Sequence, residues 1–385
     1  MSATKEHFHD QIEAGMRESQ SPLPPFAKGD ETHAASLPLQ REYPKGEGFE
    51  KQHKIQWLNL PGYKGETWNP IIGCSKISDG CKNCYAEKMA MRLQHMPQAA
   101  YYSGVLLFKP IHDKEGWAGN TVFVESQLTK PATWKAPRVV FVCSMGDLFH
   151  ETVSFETINA VFSVMADCSR HIFIVLTKRP ERMLEFYNWK SSFGIPWIPS
   201  SNVWVGVTAE NQYEAINRIA FLNIVYAAVK FVSIEPMLSA VDLNDTLQHS
   251  LKYHAGGLKN CLSWVICGGE SGHNARPVHP DWVRSLRDQC QAAGVPFFFK
   301  QWGEYKPFGT TDGRQIMPFP YMKYNTETKE GFIKVGKHRS GNLLDGKKYE
   351  QYPRDFTPAL KGDYQNMISK TKAPFRAGGE NQQQL

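Results

Sequence analysis

The chain has no apolar run of roughly 18 residues, the length a membrane-spanning helix needs. Its first stretch, MSATKEHFHDQIEAGMRESQ, lacks the apolar core of a secretory signal, so the sequence predicts a cytoplasmic protein. Cysteine is scarce, with eight in 385 residues, and five of them (Cys143, Cys168, Cys261, Cys267 and Cys290) are scattered, several inside apolar stretches. That distribution excludes a disulfide framework and reads as buried thiols in a reducing compartment. No P-loop pattern occurs, GGESG is not a dinucleotide fingerprint, and no Ser-His-Asp order stands out. Net charge is low, +6 with a pI near 8.7. That leans toward an anionic partner such as nucleic acid without requiring one.

What is present is an ordinary globular composition, 41% hydrophobic and 21% charged, with aromatics at 12% that suit a large core and also base stacking. Residues 1–50 are polar and broken by SPLPP and REYPKG, so an N-terminal arm is expected there, with one short helix near His9 to Ser19. From 51 to 305, short apolar runs recur: VVFVCSMGD, HIFIVLTKRP, NVWVGVTAE, KFVSIEPM, LSWVICGGESG and VPFFFKQWGE. A first strand is expected in TWNPIIGC. Runs that are apolar almost throughout indicate parallel strands buried on both faces. Helical patterns lie between them, over 153–169, 211–225 and 280–294. The alternation, at about 30 residues per unit, predicts an α/β fold of six or seven units, a partial or complete (β/α) barrel. Residues 306–385 read as a small β-containing C-terminal extension ending in a frayed tail.

The remaining cysteines, Cys74, Cys81 and Cys84, share one loop with the spacing C-x6-C-x2-C, followed by Tyr85. Three thiolates so close can hold three irons of a [4Fe–4S] cluster and leave the fourth iron open to a small chelating ligand. Gly73, Gly80 and the polar stretch SKISDG supply the flexible backbone. A structural zinc site would need a fourth ligand, for which His95 and Cys143 are the nearest sources. Incidental thiols are the third reading. Because the loop follows the first strand, it should open at the C-terminal face, where such barrels keep their chemistry.

The Cys81–Cys84–Tyr85 half of this loop resembles the radical S-adenosylmethionine (SAM) superfamily; the six-residue first gap departs from that superfamily's usual three. From about Thr67 to Pro353 the chain also resembles a phage-associated three-cysteine family of mainly uncharacterised proteins. The matching segments are TWNPIIGC, SMGDLFHE, LTKRPERM, NVWVGVTAEN, FVSIEP, GGESG with ARPVHPDWVRSLRDQC, PFFFKQWGE and LLDGKKY. The resemblance implies a cluster-bearing barrel with SAM as the chelating ligand.

Strand-end residues would then hold SAM. Tyr85, Ser144, Asp147, Lys178, Thr208 and Glu210 are the candidates for cofactor binding, with Asp147 for the SAM amino group. Lys178 with Arg179 could bind the SAM carboxylate or a substrate phosphate, or form a solvated charge pair. Asp147, and Thr208 to Asn211, could equally serve as helix caps. Glu235, Glu270 and Lys300 are the catalytic candidates, because a carboxylate or ammonium at a buried strand end needs a partner. Trp302, Trp134 and Tyr305 could stack on a base, or simply pack.

The resemblance implies an enzyme that cleaves SAM to a 5′-deoxyadenosyl radical, with flavodoxin or ferredoxin as electron donor. Its location would be the host cytoplasm if the gene is carried by a phage. The expected substrate is DNA or a modified nucleotide, through hypermodification of thymidine: a radical isomerisation of an aminoacyl-modified thymine from an N-linked to a C-linked form. The alternatives are a lesion-repair lyase similar to spore photoproduct lyase, and a zinc-stabilised nucleic-acid binding module.

Overall fold

The computed structural model describes residues 53–107, 116–193, 197–248, 262–309, 322–325 and 330–353. The N-terminal arm, the short helix expected in it, Cys261 and the tail beyond 353 lie outside the described residues.

In chain order, β1 (Lys64–Trp68) is followed by a small ribbon, β2 (Ile71–Ile72) and β3 (Val122–Phe123). Between these two lies α1 (Tyr85–Leu93), and after them α2 (Glu125–Leu128). Then come β4 (Arg138–Val142), α3 (Phe155–Asp167), β5 (Ile172–Thr177), α4 (Pro180–Ser191), β6 (Val203–Thr208), α5 (Gln212–Ile224) and β7 (Val229–Ile234). The series closes with β8 (Leu262–Cys267), α6 (Pro280–Ala292) and β9 (Phe297–Phe299). Seven strands form one parallel sheet in the order β1-β4-β5-β6-β7-β8-β9. The expected strands and helices therefore stand within a few residues of their predicted places.

Caps explain the helix starts. Ser154 accepts from the Thr157 N–H at 3.2 Å, Asn211 from Glu214 N–H at 2.9 Å, and the His279 ring from Asp281 N–H at 3.2 Å. Gly294, at φ +64°, ends the helical stretch before β9.

The two faces of the sheet bury different sets of alternating side chains. The outer set, such as Val140, Val175, Val205, Val232 and Val265, packs under the helices. The inner set gathers Val139, Ile174, Trp204, Phe231, Trp264, Ile266 and Phe298 into a second core. Trp57, just before β1, lies 5.0 Å from Phe141 on β4 and 6.3 Å from Trp264 on β8. Those strands would be about 19 Å apart in a flat sheet, so the sheet must curl around Trp57. β1 and β9 are its two ends and do not pair, so the architecture is the partial form, a half-barrel. Inside it, Gly206 makes room for the Phe231 ring, which would lie 2.5 Å from an added Cβ.

Trp57 and Tyr352 close the N-terminal end of the strands; Tyr352 packs 5.7 Å from Trp264 and 5.5 Å from Phe298. The extension contributes an antiparallel sheet of β10 (Tyr305–Gly309), β11 (Met322–Asn325) and β12 (Glu330–Lys334), in the order β10-β12-β11. A short helix, α7 (Lys337–Ser340), and the hairpin β13 (Leu343–Leu344) with β14 (Lys347–Lys348) follow. Residues 349–351 then run antiparallel to β9: Phe299 N–H donates to Tyr349 O at 2.8 Å and Gln351 N–H to Phe297 O at 3.2 Å. This covers a sheet edge that would otherwise be open to pairing. Among the described residues no helix is long and apolar enough to cross a membrane.

Candidate active site

Because all seven strands are parallel, their C-terminal ends form one mouth, and the cysteine loop lies across it. Backbone contacts set its entry. Gly73 N–H donates to Met145 O at 3.0 Å, and an added Cβ on Gly146 would lie 2.9 Å from Gly73 O. Gly73 itself has φ +89°, and an added Cβ there would lie 2.5 Å from Asn120 O. Gly73→Ala is therefore expected to cost about 1–3 kcal/mol in urea denaturation, and an unchanged midpoint would contradict this packing.

Beyond Gly73, strand-end side chains grip the loop at successive points. Arg179, after β5, donates to Ser75 O at 3.2 Å, Ser75 Oγ at 2.6 Å and the Cys74 sulfur at 3.6 Å. Lys178 donates to Ser78 Oγ at 3.3 Å and to Glu210 Oε2 at 3.3 Å. Glu210, after β6 and fully buried, accepts from Gly80 N–H at 2.9 Å and from Arg218 at 3.1 Å. Arg276 reaches Asp79 O at 2.9 Å while held bidentately by Glu270 at 2.7 and 2.8 Å. Asn83 donates to Asn274 O at 2.9 Å, and the Tyr85 hydroxyl to Ser144 O at 2.7 Å. Four strand ends, those of β4, β5, β6 and β8, thus converge on the loop from Cys74 to Tyr85.

This arrangement redistributes the roles expected for the candidates. Asp147 is saturated by protein donors: Phe149 N–H, the Thr177 hydroxyl, Lys178 N–H and Arg179, at 2.8 to 3.3 Å. It does not cap α3, which Ser154 caps. The Ser144 hydroxyl donates to Asn69 Oδ1 at 3.1 Å. Thr208 contributes its carbonyl to Arg218 at 2.6 Å, and the cap of α5 is Asn211. Lys178 and Arg179 are not a solvated pair, since Arg179 is only 8% exposed. Trp134, Trp302 and Tyr305 are buried, so packing is their role.

Glu235 and Lys300 pair with each other at 2.6 Å, and neither has a hydrogen bond to the loop among the described residues. The Tyr85 ring, 54% exposed, lies within electrostatic reach of Glu235. The extension adds Lys337 beside this pair; burial, and then the neighbouring Lys300 charge, hold its ammonium below the ordinary lysine value. Sequence reasoning missed Arg276, Lys337, Asn69 and His150. Of these, His150 sat in the quoted SMGDLFHE segment and Arg276 six residues after Glu270, a spacing that a loop can fold into a pair.

The three thiols differ. Burial, followed by the Asp147 charge, pushes Cys74 up to about 12 despite Arg179. Burial would also raise Cys81, but the Lys178 charge and donors from Ile77 and Ser78 outweigh it and hold it below the ordinary thiol value. Burial raises Cys84, opposed by the Glu87 and Ala86 N–H groups of α1 and by Trp117. Cys81 is coupled electrostatically to both other thiols. Hydrogen-bonding groups thus face each sulfur, as they do around cluster cysteines, while burial leaves the Cys74 and Cys84 thiols above their ordinary value. Among the described residues no group of three or more His, Cys, Asp or Glu side chains is placed to hold a metal ion. The isolated cysteines Cys143, Cys168, Cys267 and Cys290 are buried, with their thiols raised by that burial.

No curated protein and no solved structure matches the chain. A family model described as protein of unknown function (DUF5131) matches residues 52–353, spanning the half-barrel, its cysteine loop and the strand that covers β9, and the chain belongs to that family.

Proposed function

We propose that this protein is a radical SAM enzyme in which Cys74, Cys81 and Cys84 hold three irons of a [4Fe–4S] cluster. The observation that carries the reading is a loop of three donor-supported thiols gripped across the C-terminal mouth of a parallel half-barrel. When bound, the cluster would supply one electron to SAM at its open iron, giving methionine and a 5′-deoxyadenosyl radical.

The chain's own residues supply the remainder. Asp147, Glu210 and Glu270, with their cationic partners, fix the loop and so fix where the thiols point. Glu235, Lys300 and Lys337 leave charged groups at the mouth, and the exposed Tyr85 ring offers a face beside them. Lys300 and Lys337 sit here with the carboxylates of Glu235 and Glu304, and the chain's overall positive charge is what leans toward an anionic ligand. The proposed substrate is DNA carrying an aminoacyl-modified thymidine, isomerised from an N-linked to a C-linked form, with a flavodoxin or ferredoxin as electron source.

The test is anaerobic. Reconstituted wild type is expected to carry about four irons and four sulfides and to form 5′-deoxyadenosine from SAM and a strong reductant. Cys84→Ala is expected to lose that product. Stoichiometric zinc with no 5′-deoxyadenosine would overturn the reading. Turnover of a free modified nucleotide but not of modified DNA would overturn the DNA assignment alone.

A further inference from the structure

Arg179 holds its guanidinium in an unusually complete set of bonds. Nε donates to Glu151 Oε2 at 3.0 Å, and Nη2 to the Ser75 carbonyl and hydroxyl. Nη1 is shared between Asp147 Oδ2 at 3.2 Å and the Cys74 sulfur at 3.6 Å. Fully buried His150 backs this arrangement. Its Nδ1 accepts from Thr152 N–H at 3.2 Å, which leaves Nε2 to carry the proton and donate to Ser75 Oγ at 3.0 Å. The other two thiols have different surroundings. Cys81 meets the neutral Ser78 hydroxyl at 3.7 Å, and Cys84 meets backbone N–H groups and an indole. Among the described residues, Cys74 is the one loop cysteine whose sulfur takes a hydrogen bond from a charged group.

We propose that Arg179 is a positioning residue that raises the reduction potential of the cluster through the Cys74 sulfur. The inference rests on the cluster reading above. One-electron reduction adds negative charge that is partly shared by the thiolate sulfurs. A fixed cation donating to one of them stabilises the reduced form more than the oxidised form, and hydrogen bonds to sulfur are an established means of setting cluster potentials. The site is mostly buried, so solvent screens this little. Glu151, Asp147 and Ser75 keep the guanidinium from turning away.

The experiment is a redox titration of the full, anaerobically reconstituted chain without SAM, using dithionite and mediators and following the reduced-cluster EPR signal. Arg179→Gln is expected to disfavour reduction about tenfold, a shift of 59 mV to more negative potential for a one-electron couple. Arg179→Lys, which keeps the charge but not the fork, is expected to recover part of that shift. A fully loaded Arg179→Gln protein with the wild-type potential would overturn the inference and leave the cluster reading intact. Failure of the wild type itself to take up iron and sulfide would instead overturn the cluster reading. Where Arg179→Gln does not load, Ser75→Ala decides, since it changes no charge and frees Nη2 from the hydroxyl it meets at 2.6 Å. It is expected to shift the potential in the same direction by about two- to threefold in the equilibrium, and an unchanged potential would overturn the proposal.

Discussion

Trp264→Ala is expected to lower unfolding stability by about 3–5 kcal/mol, the usual cost of emptying a buried tryptophan site. Trp264 is fully buried at the centre of the inner core. Its ring lies 5.7 to 6.3 Å from the rings of Trp57, Trp204, Phe231, Phe298 and Tyr352. Those rings belong to three strands and to the two segments that close the bottom of the half-barrel, so none can move into the cavity without releasing another. The indole N–H also donates to Gln351 O at 2.9 Å, which fixes the segment covering β9. Trp264→Phe keeps most of the apolar contact and loses that bond, so it should cost nearer 1–2 kcal/mol. Urea denaturation of both variants checks the argument. A loss under 1 kcal/mol for alanine would mean that the inner core does not hold the curl.

The strands were legible because parallel strands covered on both faces must be apolar at nearly every position. VVFVC, HIFIVLT and NVWVGVT satisfy that rule, and each became a strand of the sheet. The curl was not legible. It depends on which alternate residues meet across the concave face, and Trp57 and Tyr352, nearly 300 positions apart, meet the same indole. The closing of β9 by residues 349–351 was hidden for a related reason: YEQ carries no strand pattern, and its pairing is set by the neighbour it finds. At the site, the cysteines and most of the strand-end charges were legible as residues. Their partners were not, because Glu210 finds Gly80 and Arg276 finds Asp79 only after the loop folds back across the mouth. Sequence therefore named Asp147 and Glu210 as ligand groups and Glu270 as catalytic, and in the fold all three also anchor the loop.

Glu210→Gln tests that anchoring, and it is expected to cost about 3 kcal/mol near neutral pH, the lower end for breaking a buried ion pair. Arg218 keeps Glu214 at 2.6 Å and the Thr208 carbonyl, so the loss falls mainly on Lys178, whose other bond is to Ser78. The sign of the pH dependence follows from the shift. Burial would raise Glu210, but Lys178, Ser78, Gly80 and Arg218 outweigh it and hold its carboxyl below the ordinary value of 4.5. A carboxyl with a depressed folded pKa stabilises the fold above its unfolded pKa, and that contribution disappears as pH falls through the folded value. The stability gap between wild type and Glu210→Gln should therefore be full above about pH 5 and shrink steadily below 4.5. Glu214, raised chiefly by burial and in part by the Glu210 charge, contributes with the opposite sign; only the part due to Glu210 differs between the two proteins. Hydrogen exchange gives the local readout: the Gly80 amide should lose protection in the variant while amides of β5 and β6 keep theirs. A Gly80 amide equally protected in both proteins would mean that the loop holds its place without the Glu210 charge. The thiols would then owe their position across the mouth to the other anchors, Arg179, Arg276, Asn83, Tyr85 and the Gly73–Gly146 contact.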